Sequence, residues 1–266
     1  MSINVSLIQM NVTFGNPKEN QERISSYFSQ VNFNTTDIVV LPELWTTGYD
    51  LKRLDEIADN NANDTIYFIS KLAKANNVNI IAGSIAKRTG SKVTNTMIIF
   101  NRKGEVVKHY DKAHLFRLME EDKYLTGGSL DGVFELDNTK CAGVICYDIR
   151  FPEWIRTNML HNTKVLFVVA EWPRQRIDHW RALLISRAIE NQSYVVACNR
   201  VGSDPNNQFG GHSMIIDPWG EVVEEALEEE IVIHGVINPD LVEEVRNTIP
   251  IDSDRRPDIY QLYRTK

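Results

Sequence analysis

Cysteine is scarce in this sequence: there are three among 266 residues, an odd number that leaves no complete set of pairs. Cys141 and Cys146 lie on one predicted strand, about 16 Å apart at ~3.3 Å per residue, whereas disulfide-bonded Cα atoms lie within about 7 Å. No CxxC or HxxxH spacing occurs among the cysteines and the six histidines, although zinc sites commonly use such spacings. We therefore expect neither a disulfide framework nor a metal site.

Net positive charge and long apolar runs are also missing. The chain has 29 Lys and Arg against 36 Asp and Glu, a formal net charge of -7, so it has no general attraction for phosphate backbones or anionic lipids. The first residues, MSINVSLIQM, lack the basic and apolar regions of a signal peptide, and apolar runs such as 166–170 are far too short to cross a bilayer. We expect a cytoplasmic protein with no nucleic acid or membrane partner.

No linker rich in Pro, Gly or Ser divides the chain, so residues 1–266 are expected to form a single domain. The alternation in INVSLIQMNV predicts a strand, and Asn16 followed by Pro17 predicts the start of a helix. Ile69 and Ala73 belong to the apolar face of a second helix. Strands that alternate with helices indicate an α/β protein.

Two sequence patterns recur about half a chain apart. MIIFNRKGEVV (97–107) resembles MIIDPWGEVV (214–223), and each predicts two strands joined by a turn that contains glycine. VVLPELW (39–45) and FVVAEW (167–172) are both apolar strands followed by a Glu and then a Trp. These repeats indicate two similar βα halves that pack sheet against sheet.

Cys146 ends one of the predicted strands, in AGVICYDIRFPEW (142–154). Pro152 predicts a helix start a few residues later, so we expect the thiol on a sharp strand-to-helix turn. Free backbone N–H groups there would favour a thiolate and would bind a developing oxyanion. Taken alone, Cys146 could also be a small buried core residue, which is our interpretation of Cys141 and Cys198.

Two charged residues follow other predicted strands. Glu43 comes after IVVLP, where a surface carboxylate is not expected and a buried one would suit general acid/base chemistry. Lys112 lies in KHYDKAHLF (108–116), where apolar neighbours would partly desolvate its ammonium group. Each by itself could be an ordinary solvated residue, Glu43 in a loop and Lys112 at a strand end.

Together these residues lie in motifs that resemble the nitrilase, or carbon-nitrogen hydrolase, superfamily. The Glu-Lys-Cys triad of that family follows the same order here: Glu43 in LPELW, Lys112 in YDKAHLF and Cys146 in CYDIRFPEW. The similarity continues through RAIENQSYVVACNRVG and GHSMIIDPWGE and so covers nearly the whole chain. It is closest to the ω-amidase branch, whose members release ammonia from the terminal amide of small dicarboxylic acid monoamides such as α-ketoglutaramate.

The resemblance implies a four-layer αββα sandwich, usually paired into a homodimer, and a second glutamate in the segment after the lysine. In LMEEDKYLTGG, the register of Tyr124 favours Glu121 over Glu120. Because a thiol, a carboxylate and an ammonium group would supply every proton and charge, we expect no cofactor.

Substrate contacts are expected from three further residues. The backbone N–H of Tyr147 would help to bind the oxyanion, while Arg150 and Trp172 would meet a substrate carboxylate and its carbon chain. Arg150 could instead form a structural ion pair, and Trp172 could be a core aromatic.

Several alternatives share these residues. His114, close to Lys112, leaves open a Cys-His mechanism. A nitrile or an N-carbamoyl amine would use the same triad as an amide. A non-catalytic ligand-binding protein with this fold would be expected to have lost at least one triad residue, and all three are present.

Overall fold

The computed structural model describes residues 2–160 and 162–260, in which two β-sheets pack face to face. The first sheet contains, in spatial order, β15 (Ile231–Ile237), β1 (Ile3–Gln9), β2 (Ile38–Val40), β4 (Asn79–Thr89), β5 (Lys92–Phe100) and β6 (Val106–Asp111), with β3 (Asp59–Asn60) paired to β4. The second contains β14 (Val222–Glu225), β13 (Met214–Ile216), β10 (Tyr194–Asn199), β9 (Val165–Ala170), β8 (Thr139–Ile145) and β7 (Val133–Leu136). A short pair, β11 (Val201–Ser203) and β12 (Gln208–Gly210), lies apart from both.

The longer helices cover the outer faces of the two sheets. The helices are α1 (Pro17–Phe28), α2 (Leu54–Ile57), α3 (Asn63–Asn76), α4 (Glu121–Tyr124), α5 (Pro152–Met159), α6 (Ile177–Asn191), α7 (Pro239–Thr248) and α8 (Ile251–Asp254). Short 3₁₀ helices span Leu51–Arg53, Arg117–Met119, Cys146–Arg150 and Arg174–Arg176. Within the described ranges, every helix is too short or too polar to cross a membrane.

The first helix begins where the sequence predicts it. The side chain of Asn16 accepts a hydrogen bond from the backbone N–H of Glu19, and Pro17 occupies the first helical turn, where its missing N–H costs nothing. The helix buries Ile24 and Phe28 against the first sheet. The second predicted helix is α3, which buries Ile69 and Ala73.

The layers are αββα, which confirms the predicted fold. Strand β1 contacts β10, and β4 contacts β9, across the interface between the sheets. Inward-facing residues such as Leu7 and Val168 form the core there, whereas Ile80 faces α1 and α3 on the other side of the first sheet. Because β9 is covered on both faces, all six of its residues are buried, and it reads as a continuous apolar run.

The two copies of the repeated MII pattern form equivalent hairpins, as predicted. Strands β5 and β6 are joined by a turn with Gly104 at φ 77°, and β13 and β14 by a turn with Gly220 at φ 89°. Strands β1, β2 and β4 run parallel in one half, and β8, β9 and β10 in the other. The carboxyl ends of β2, β6, β8 and β9 carry the residues of the predicted site.

Candidate active site

A buried cluster of three charges lies where β2 and β6 end. The Nζ atom of Lys112 donates to Oε1 of Glu43 at 2.8 Å and to Oε1 of Glu121 at 2.6 Å. All three side chains have zero solvent exposure. Glu120, in contrast, is exposed and pairs with Lys123, so it is Glu121 that lies beside the lysine.

The loop that carries Glu43 is held against β4. The backbone N–H of Leu44, which has a left-handed φ of 42°, donates to the hydroxyl of Ser84 at 2.9 Å. Gly83 permits this close approach, because a Cβ there would lie 1.9 Å from the carbonyl oxygen of Pro42. The loop can therefore turn sharply and direct Glu43 into the protein.

Both oxygens of Glu43 accept hydrogen bonds. Oε1 accepts from Asn95 Nδ2 at 2.8 Å and from the Tyr49 hydroxyl at 3.3 Å, in addition to Lys112. Oε2 accepts from the backbone N–H of Glu171 at 2.8 Å. The carboxylate is thus fixed in one orientation by groups from both sheets.

Glu121 is the first residue of α4 and is fixed in a similar way. Its Oε1 accepts from the hydroxyl of Tyr49 at 2.6 Å, and its Oε2 accepts from the backbone N–H of Phe116 at 2.8 Å. Tyr49 therefore bridges the two carboxylates that contact Lys112.

Burial and charge act against each other in this cluster. Burial alone would lower the pKa of Lys112, but the charges of Glu121 and Glu43 outweigh it and raise the pKa well above its ordinary value. Burial raises the pKa of Glu121, and Lys112 opposes that shift. The lysine therefore remains an ammonium ion.

Cys146 lies at the predicted strand-to-helix turn: it follows β8 directly and is the first residue of the 3₁₀ helix that precedes α5. Its backbone has a left-handed φ of 46°, which is rare for a residue other than glycine, and its exposed fraction is 4%. Burial raises the pKa of its thiol well above the ordinary value, and the charge of Glu43 adds to this shift. Desolvation and the nearby carboxylate therefore outweigh the expected influence of the helix start, and the resting group is a neutral thiol.

Asp148 fixes this turn by hydrogen bonds and also contacts both the backbone and the ring of His114. Its Oδ2 accepts from the backbone N–H of Ile145 at 3.1 Å and from the Tyr110 hydroxyl at 2.7 Å. Its Oδ1 accepts from the backbone N–H of His114 at 2.9 Å and lies 2.8 Å from the Nδ1 atom of that ring. His114 also stacks on Phe151, with ring centroids 3.7 Å apart. The histidine thus joins the lysine segment to the cysteine turn.

A narrow cleft lies beside the thiol. Its lining residues are Phe116, Cys146, Tyr147, Arg150, Trp172, Pro173 and Arg176. The guanidinium carbon of Arg150 lies 4.6 Å from the centroid of the Trp172 ring. All three residues expected to contact the substrate, Tyr147, Arg150 and Trp172, therefore line the same cavity as Cys146. Arg150 forms no ion pair with a carboxylate in the described ranges, in contrast to its alternative interpretation.

Sequence reasoning missed three residues that hydrogen-bond to Glu43 in the buried cluster. Tyr49 lies in the same loop as Glu43, but nothing in the loop sequence shows that its hydroxyl turns inward. Asn95 is an isolated polar residue on a buried strand, which is a usable signal in retrospect. Glu171 was noted only as the repeat partner of Glu43, although a Glu directly after an all-apolar strand carries the same signal.

The described residues include no group of three or more His, Cys, Asp or Glu side chains arranged to hold a metal ion. The carboxylates of Glu43 and Glu121 instead share the Lys112 ammonium group. The arrangement can transfer a proton between sulfur and carboxylate beside a fixed positive charge.

The αββα fold, with this cluster at its strand ends, is that of a nitrilase-like enzyme. Residues 4–247 match the family model for the carbon-nitrogen hydrolases. The chain belongs to the carbon-nitrogen hydrolase family and is an enzyme that hydrolyses carbon–nitrogen bonds.

Individual relatives are similar over most of their length. The chain is 50% identical over 260 residues to the 2-oxoglutaramate amidase of Bacillus subtilis (strain 168), covering 98% of this chain and 100% of that protein. It is 40% identical over 190 residues to the omega-amidase YafV of Escherichia coli (strain K12), covering 70% and 71%. A crystal structure of a CN-hydrolase superfamily protein from Xanthomonas campestris, with an arsenic adduct in its active site, has a TM-score of 0.91 and 29% identity, covering 98% of this chain and 100% of that one.

Proposed function

We propose that the protein is an ω-amidase, which hydrolyses the terminal amide of a small dicarboxylic acid monoamide such as 2-oxoglutaramate (α-ketoglutaramate) to the acid and ammonia. The observation that carries this proposal is the Lys112 ammonium group held between Glu43 and Glu121, with the Cys146 thiol close enough for the charge of Glu43 to raise its pKa. The names of the relatives from B. subtilis and E. coli support the substrate class.

Attack begins from the neutral thiol. Glu43 takes the proton of Cys146 as the sulfur bonds to the amide carbon, because an un-ionised thiol is a poor nucleophile and an amide a poor electrophile. The negative charge that forms on the amide oxygen is stabilised by the Lys112 ammonium group and by the backbone N–H of Tyr147. Each such donor contributes about 3 kcal/mol at comparable sites.

Breakdown of the tetrahedral intermediate uses the same carboxyl group in reverse. Glu43 gives the proton to the nitrogen as the carbon–nitrogen bond breaks, and ammonia leaves a thioester on Cys146. A water molecule then gives a proton to Glu43 and attacks the thioester carbon. As the carbon–sulfur bond breaks, Glu43 returns that proton to the sulfur, which releases the carboxylic acid and restores the thiol. Glu121 positions Lys112 and, through Tyr49, keeps the cluster rigid. No step calls for a cofactor.

The cleft beside Cys146 supplies contacts of the kind a short linear substrate needs. Trp172 offers an aromatic surface to the carbon chain, and the guanidinium carbon of Arg150, which also lines the cleft, lies 4.6 Å from the centroid of that ring. We propose that Arg150 binds the substrate carboxylate, since a guanidinium group offers two parallel donors to a carboxylate.

The test is release of ammonia from 2-oxoglutaramate, α-ketosuccinamate, simple aliphatic amides, nitriles and carbamoyl compounds. Cys146→Ala and Cys146→Ser should abolish turnover, and the wild-type enzyme should accumulate a thioester detectable by mass spectrometry after rapid quenching. Cys141→Ala, which alters a buried thiol outside the site, is the matched control and should keep wild-type activity.

Two results would contradict the proposal. An undiminished rate of ammonia release by Cys146→Ala would remove the thiol from the mechanism. Turnover of nitriles alone would assign the protein to a different reaction of the same family.

We also propose, on the family resemblance, that residues 1–266 form a single domain, that the protein works as a homodimer and that it acts in the cytoplasm. Sedimentation equilibrium of the full chain tests the dimer: a mass of about twice 30.5 kDa supports it, and the monomer mass contradicts it.

A further inference from the structure

Two arginines line the cavity beside Cys146, and within the part of the chain that the structure describes neither pairs with a carboxylate. Arg150 and Arg176 both contribute to its wall. Among residues 2–160 and 162–260, no aspartate or glutamate oxygen lies within ion-pair distance of either group. Arg150 instead lies 3.4 Å from the Nδ1 atom of His179. A partly buried cation that lacks a counter-ion is costly unless a ligand supplies one.

Aromatic rings and a main-chain hydrogen bond hold both arginines in place. The guanidinium carbon of Arg176 lies 5.6 Å from the centroid of the Phe116 ring, just as Arg150 lies over Trp172. The indole Nε1 of Trp172 donates to the carbonyl oxygen of Arg176 at 2.7 Å. Phe116 and Trp172 line the cavity too, so each cation is fixed on the wall by a cation–π contact.

A neighbouring arginine, in contrast, does have a counter-ion. Arg174, two residues before Arg176, is exposed and pairs with Glu228 through an Nη2 to Oε2 distance of 3.0 Å and an Nε to Oε1 distance of 3.1 Å. It does not line the cavity. The arginine that faces solvent therefore has a counter-ion, whereas Arg176, which lines the cavity, pairs with no carboxylate among the described residues.

The two unpaired charges also repel each other. Burial lowers the pKa of Arg150, Cys146 opposes that shift, and the positive charge of Arg176 adds to it. An anion bound between the two groups would relieve both the desolvation and the repulsion.

We propose that Arg176 is a specificity-determining residue that binds, together with Arg150, the carboxylate and the adjacent 2-oxo oxygen at the far end of the substrate. This inference rests on the proposed function and adds Arg176 to the substrate contact expected from Arg150. Three acceptor oxygens on neighbouring carbons match two guanidinium groups better than one. L-Glutamine carries an ammonium group in place of the oxo oxygen, and two uncompensated cations repel it.

The test compares Arg176→Gln with Arg174→Gln, a matched variant of the paired arginine. We expect Arg176→Gln to raise the KM for 2-oxoglutaramate about ten- to hundredfold, the effect of losing a charge-assisted hydrogen bond. Its kcat/KM for pentanamide, which has neither carboxylate nor oxo group, should stay within about threefold of wild type. The preference for 2-oxoglutaramate over L-glutamine should fall, and Arg174→Gln should match wild type with every substrate.

Calorimetric binding of 2-oxoglutarate, which carries the same far end, gives a second readout. Arg176→Gln should weaken this binding about ten- to hundredfold relative to wild type and to Arg174→Gln. Unchanged binding by Arg176→Gln, or an equal loss of activity toward pentanamide, would overturn the assignment. If the wild-type enzyme releases no ammonia from any amide, the proposed function fails, and the binding measurement still decides the role of Arg176.

Discussion

Glu43 and Glu171 occupy corresponding places in the two halves of the molecule, Glu43 three residues after the end of β2 and Glu171 directly after β9, and both are completely buried. Their surroundings differ. Glu43 accepts hydrogen bonds on both oxygens, whereas Glu171 has one oxygen 3.1 Å from Nη1 of Arg200 and another, Oε1, with no partner in the described ranges. Burial raises the pKa of Glu171 to about 8, since Arg200 offsets only part of the cost and the charge of Glu43 adds to it.

The difference shows how a repeated fold serves a single site. The first half supplies the carboxylates and the ammonium group, and the second supplies the thiol and the arginines. Glu171 contributes its backbone N–H to Glu43 rather than its carboxyl group. We therefore assign proton transfer to Glu43 and a supporting role to Glu171.

Replacing each of these two glutamates by glutamine tests the division of roles most directly. Glu43→Gln keeps the shape of the side chain but cannot take the thiol proton, so kcat should fall at least about a thousandfold. Glu171→Gln resembles the protonated carboxyl group that predominates at pH 7 and keeps the backbone donor, so its kcat should stay within about tenfold of wild type. The measurement is ammonia release from 2-oxoglutaramate. Equal losses in the two variants would refute the division of roles.

A smaller effect should follow from removing one of the contacts that Glu43 has and Glu171 lacks. Tyr49→Phe deletes the hydroxyl that bridges Glu43 and Glu121, and we expect kcat to fall about ten- to hundredfold with little change in KM. Tyr124→Phe, which alters a nearby tyrosine outside the cluster, serves as the control. A Tyr49→Phe enzyme with wild-type kcat would show that the bridge has no part in catalysis.

The smallest effect is on stability and concerns Glu171. Its carboxyl group keeps a proton up to pH about 8 in the folded state but releases it near its ordinary value of 4.5 when unfolded. The folded state therefore binds more protons between these values, so the stabilising contribution is full below pH 4.5 and is lost as the pH rises to about 8. We expect the free energy of unfolding of wild type to fall by about 2 kcal/mol more than that of Glu171→Gln between pH 5 and pH 8, a moderate part of the full linkage because buried sites relax around a charge.

Urea unfolding at several pH values measures this difference. The two proteins share every other titrating group, so the gap between their pH profiles isolates residue 171. Parallel profiles would mean that the carboxyl group of Glu171 titrates alike in the folded and unfolded chains.

Much of the architecture was accessible from the sequence because it depends on local patterns. The helix start at Asn16 and Pro17 follows from capping chemistry, and the matching hairpins follow from the repeated MII motif and its glycine. The short elements α2 and β3 were not predicted, since four residues and two residues carry too little periodicity to detect.

The site was only partly accessible for a different reason. Glu43, Lys112 and Cys146 are marked by their positions after apolar strands, but the contacts of Tyr49 and Asn95 depend on how loops far apart in sequence meet. The pKa of Cys146 depends on burial and on a nearby carboxylate, which outweigh the N–H groups of a helix start, and neither is visible in a linear motif.

The hydrogen bond from the main chain of Glu171 to Glu43 joins residues 128 positions apart. It forms only when the two sheets have docked, and neither half of the chain alone holds a nucleophile, a base and an ammonium group together. Recovery of turnover during refolding should therefore lag behind the recovery of secondary structure. The rate at which turnover returns then reports the rate at which the two sheets dock.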